Sequence, residues 1–74
     1  MKTEIETLLK NKLDISHKNK LFLTYVNLHG VIVRRGYQVF YDNKVQPFSK
    51  IYRNMNDAID KFIELKKVLD KNES

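Results

Sequence analysis

Between residues 20 and 53 the chain passes through three stretches rich in β-branched and aromatic residues, parted only by short polar breaks, while helix-type spacing is confined to the two ends. That arrangement restricts the fold more than any other feature. Strand-type stretches joined by tight breaks pair as antiparallel neighbours, and amphipathic ends supply helices to cover them. The expected order is α-β-β-β-α, a single α+β domain over residues 1–74 with a three-stranded antiparallel sheet.

The first helix is expected over residues 3–13. Thr3 and Glu6 have the spacing of a capping box, and Ile5, Leu8, Leu9 and Leu13 recur on one stripe. Asp14–Asn19 continues no stripe and reads as a loop. Strands follow at about 20–28, 31–41 and 45–53. His29-Gly30 is the first turn, since glycine accepts positive φ, and Asp42-Asn43-Lys44 the second. Gly36 suggests a bulge in the second strand, and Pro47, which donates no backbone hydrogen bond, suits an edge for the third. The last helix, about 55–70, starts at Asn54 or Asn56. It places Asp57 early and Lys71 late, as the helix dipole favours, and carries a broad apolar face from Met55 to Leu69.

If both turns are two-residue hairpins, Phe22, Thr24, Val26, Tyr37, Val39, Tyr41, Phe48 and Tyr52 share the core face. Leu21, Leu23, Tyr25, Asn27, Arg34, Gln38, Phe40 and Ile51 then share a mixed one. Arg35 falls on the unexpected side, which implies either the bulge at Gly36 or a register displaced by one residue. Both helices are expected mainly on the core face, because Arg34, Asn27 and Gln38 are costly to bury without partners. The alternative places one helix on each face.

Charge narrows the partners. The chain carries +5, and the excess sits in the middle: Lys10 to Arg53 holds nine Lys and Arg against Asp14 and Asp42, whereas each flank is slightly acidic. Cations that replace condensed counterions, with aromatic rings among them, are what a nucleic-acid surface needs. The residues expected to form it are Lys18, Lys20, Tyr25, Arg34, Arg35, Lys50 and Arg53. The competing reading, with the tyrosines as core or rim and the lysines as ordinary surface, leaves a protein-interaction module or inhibitor that binds an acidic protein.

Other classes find no support in the residues. The chain has no cysteine, and His17 and His29 lack metal-ligand spacing, so neither disulfide nor zinc is indicated and no metal or cofactor is expected. Two glycines give neither a P-loop nor a dinucleotide fingerprint, and no serine stands in a nucleophile elbow, so no enzyme is expected. Every apolar run is broken well short of the ~20 residues that span a bilayer. With no charged start followed by an apolar run, the expected location is cytoplasmic. A 74-residue chain buries only about 60% of its unfolded surface, which makes a homodimer an expected source of extra stability. Lysine outnumbers arginine and asparagine is frequent, a bias expected of an AT-rich genome such as those of many low-GC bacteria and their phages, and a phage or mobile element is the expected source.

Tyr37-Gln38-Val39-Phe40-Tyr41, a polar turn, then Tyr52 leading into a helix with Ala58 and Phe62, loosely resembles the arm-type DNA-binding module of phage tyrosine integrases. That module inserts a three-stranded sheet into the major groove, so the resemblance implies DNA contact through the sheet. The module's turn glycine has no counterpart here, and the third strand is less basic. The element order is also similar to double-stranded-RNA-binding domains, but Asn54-Met55-Asn56-Asp57 stands where those begin their last helix with lysines. The expectation is a small basic nucleic-acid-binding accessory or regulatory protein that contacts phosphates through a basic, aromatic sheet face.

Overall fold

A computed structural model describes residues 2–28 and 34–73, with the backbone alone at Leu28, Arg34 and Glu73. The element order is α1 (Lys2–Lys10), β1 (Ile15–His17), β2 (Leu21–Leu28), β3 (Arg34–Tyr41), β4 (Phe48–Tyr52) and α2 (Met55–Glu73). The strands form one antiparallel sheet in the order β1-β2-β3-β4. An α+β domain with an antiparallel sheet is thus present, but with four strands rather than three.

The additional strand lies where a loop was expected. Ile15 and His17 face inward with Ser16 outward between them, an alternation too short to stand out in sequence. The turn that follows contains no glycine. Lys18 and Asn19 both take φ 55°, and the Lys20 N–H donates to the His17 carbonyl at 3.2 Å. Two consecutive positive φ values match the right-handed twist of the flanking strands, and asparagine tolerates that conformation better than most residues.

α1 is shorter than its stripe suggests. It ends in a Schellman motif around Lys12 (φ 59°), with Lys12 N–H to the Leu9 carbonyl at 2.9 Å and Leu13 N–H to the Leu8 carbonyl at 3.0 Å. Only Ile5 and Leu9 are buried; Leu13 is 51% exposed. Because the helix begins at Lys2, Thr3 lies inside it and does not cap it. Asn54 does cap α2: its side-chain oxygen accepts the Asn56 N–H at 2.8 Å.

The register corrects the assignment of faces. Leu21 pairs with Tyr41, Leu23 with Val39, Tyr25 with Tyr37 and Leu28 with Arg34. A two-residue turn at His29-Gly30 would pair Leu28 with residue 31, whose parity is opposite, and a change of parity exchanges the two faces of a whole strand. That turn, and the strand residues expected at 31–33, lie outside the described residues. Pairing runs unbroken through Val26–Gly36, so there is no bulge. Gly36 answers a different need: a Cβ there would sit 2.6 Å from Ile51 Cγ2 and 2.9 Å from the Tyr52 carbonyl oxygen. Pro47 immediately precedes β4, which is an edge strand.

The inner face presents Leu21, Leu23, Val39 and Tyr41 to Ala58, Ile59, Phe62 and Leu69 of α2, with Ile5 and Leu9 of α1 in the same cluster. Lys2 binds Asp60 at 3.0 Å, linking the two helices. The outer face carries Ser16, Phe22, Thr24, Val26, Gly36, Gln38, Phe40, Ser49 and Ile51. Phe40 is 41% and Ile51 46% exposed there. Among the described residues no helix is long and apolar enough to cross a membrane.

Candidate nucleic-acid interface

Three tyrosines stand side by side on the inner face. Tyr25 pairs with Tyr37 and Tyr37 with Tyr52, so one row crosses β2, β3 and β4. The Tyr25 and Tyr37 rings meet edge to face, with centroids 5.7 Å apart at 66°. All three are partly exposed. β1 reaches only the Ile15–Leu23 pair and β4 only the Tyr37–Tyr52 pair, so β2 and β3 project beyond their neighbours from this row onward. The next inner-face pair, Asn27 and Arg35, is exposed.

Cations border the row. Lys12 Nζ lies 5.8 Å from the Tyr25 ring centroid and Lys50 Nζ 4.9 Å from that of Tyr52, within cation–π range. The first depends on the Schellman turn, which carries the chain out of α1 over β2. The second follows from strand alternation, which places Lys50 and Tyr52 on one face. Arg35 is two residues from Tyr37 on the same face, and Arg53 follows Tyr52 in the chain; both are exposed. Asp14 and Asp57 are the acids nearest in sequence to Lys12 and Arg53.

Of the seven residues expected to form the surface, Tyr25, Arg35 and Lys50 therefore come together, but on the helix-bearing face and past its packed centre, not on the open mixed face; Arg53 is exposed and adjoins Tyr52 in the chain, just past the end of β4. The parity of β2 is the reason: it turns Tyr25 inward, towards Tyr37. Arg34 begins β3 at an outer-face register position. Lys18 and Lys20 stand in the β1–β2 turn, at the other end of β2 and at least five residues from Tyr25, roughly 16 Å along the strand.

At that end Lys18 Nζ approaches Asp70 Oδ1 at 3.2 Å, and His17 Nε2 approaches the same oxygen at 2.7 Å. First the hydrogen bond from His17 and then that from Lys18 hold the Asp70 carboxyl below its ordinary pKa. These contacts tie the β1–β2 hairpin to α2. Lys18, Lys20 and Lys44 also line a cleft of about 490 Å³ floored by Tyr41 and Leu69.

Sequence reasoning missed Lys12, whose signal lay in the α1 terminus rather than in any basic run. Tyr37 and Tyr52 were expected on the core face, and there they stand, partly buried against the core cluster at its margin. Among the described residues no group of three or more His, Cys, Asp or Glu is placed to hold a metal ion. Compared with known proteins, the chain matches no family model, no curated protein and no solved structure.

Proposed function

We propose that this chain binds nucleic acid at the Tyr25–Tyr37–Tyr52 row, with Lys12, Arg35, Lys50 and Arg53 engaging backbone phosphates. The observation that carries the reading is the row itself: three partly exposed rings on adjacent strands, bordered by cations from a helix terminus and two strands, with Arg53 next to Tyr52 in the chain. Rings on a sheet stack on unpaired bases, whose faces are hidden inside a duplex, so the favoured ligand is a single-stranded stretch. The ammonium groups of Lys12 and Lys50 lie over ring faces that a base would occupy. Stacking displaces them, and each flexible stem then carries its charge to a neighbouring phosphate.

The test is fluorescence anisotropy with a labelled single strand across a salt series. Neutralising about four phosphates gives a log–log slope near −2.8 for a single strand, or roughly a 50-fold loss of affinity between 50 and 200 mM salt. Replacing Arg35 and Arg53 by glutamine should make that slope shallower by about 1.4 while the circular dichroism spectrum stays unchanged. Absence of binding to any strand at 50 mM salt, or an affinity indifferent to salt, would overturn the reading.

A further inference from the structure

The outer face of the sheet has no part in that reading, and its chemistry is of another kind. In a chain with 31% charged residues, none of the described side chains on this face is charged. Phe22 and Phe40 pair at its centre with ring centroids 6.0 Å apart, and Phe40 and Ile51 are 41% and 46% exposed. Gln38 Nε2 donates to Ser49 Oγ at 3.1 Å, which satisfies part of the polar content within the face itself. Arg34 takes its register position six residues along β3 from Phe40, roughly 20 Å away.

We propose that this face is a homodimer interface, two copies packing sheet on sheet with the helices outermost. Two observations select a second copy as the occupant. The first is symmetry: a two-fold interface must complement itself. The central row reads the same from either edge of the sheet, Ser16, Phe22, Phe40, Ser49. A two-fold axis along the strands therefore sets phenylalanine over phenylalanine and serine over serine.

The second observation is charge. Each copy carries +5, so association through any basic surface brings like charges together. The outer face avoids this at its centre and leaves Arg34 towards its rim. β2 and β3 are eight residues each, which with four strands at about 4.8 Å spacing gives a footprint of roughly 400–500 Å² per copy. A total near 800–1,000 Å² lies at the low end for specific contacts, so the dimer is weak and forms at high concentration.

Sedimentation equilibrium of the full chain from about 1 μM to 1 mM tests this. The expected mass rises from one chain to two, and the midpoint moves to lower concentration as salt screens the repulsion between copies, opposite in sign to nucleic-acid binding. Phe40→Glu should hold the mass at one chain throughout while leaving the salt slope of oligonucleotide binding unchanged. Ile51→Lys, at a more exposed position, should likewise hold the mass at one chain if the first variant folds poorly. A wild-type mass of one chain at every concentration, or a dimer that persists in both variants, would overturn the proposal.

Discussion

Lys12 sets backbone strain against a side-chain contact that the proposed function uses. It occupies the left-handed position of the α1 Schellman motif, where a side chain is strained and glycine is favoured. The lysine costs about 1 kcal/mol there relative to glycine, and in return its ammonium stands over Tyr25. Lys12→Gly should therefore raise the urea midpoint by an amount equivalent to about 1 kcal/mol. It should also weaken single-strand binding through loss of one phosphate contact. A variant less stable than wild type would show that this turn is not under strain. Little of this was legible in sequence: the apolar stripe continued to Leu13, and only the backbone shows that the helix stops short of it.

At the scale of elements, α2 was the most legible. Its cap, charge gradient and apolar face each follow from side-chain type at fixed spacing, and Ala58, Ile59, Phe62 and Leu69 are the residues the spacing places inward. β1 was invisible because three residues give too little alternation to register and its turn uses Lys18 and Asn19 instead of glycine. The faces of β2 were reversed for a related reason: parity passes through a turn whose length the sequence does not state, so one wrong turn length inverts every side chain on the strand. β3 and β4 kept their faces, since the 41–48 pairing has the parity assumed for a short turn.

The ion cluster at Asp70 joins two of these elements, and pH reads its contribution. A carboxyl whose pKa is depressed in the fold adds stability that is fully present above its ordinary value, about 3.8, and lost as pH falls through the lower folded value. Asp70→Asn should accordingly lower the melting temperature at pH 7, with the difference from wild type shrinking as both are taken to pH 2. A difference that is constant across that range would mean that the carboxylate's charge plays no part in holding the β1–β2 hairpin to α2.

For the molecule as a whole, three surfaces are separated by the fold: the cation-bordered tyrosine row, the lysine-lined cleft beside the Asp70 cluster, and the uncharged outer face. The sequence located the positive charge in the middle of the chain correctly, but a linear count cannot divide it between two ends of a sheet. Lys18 and Lys20 are close in sequence to Tyr25 and distant from it along the strand, whereas Lys12 and Lys50 come from opposite ends of that stretch and stand over rings of the same row.

That row is the account's central claim, and amide chemical-shift mapping during titration with a short single-stranded oligonucleotide addresses it most directly. Shifts should concentrate at Lys12, Tyr25, Arg35, Tyr37, Lys50, Tyr52 and Arg53, and should fade as salt is raised. Shifts centred instead on Lys18, Lys20 and Lys44, or on Thr24, Phe40 and Ile51 of the outer face, would contradict it.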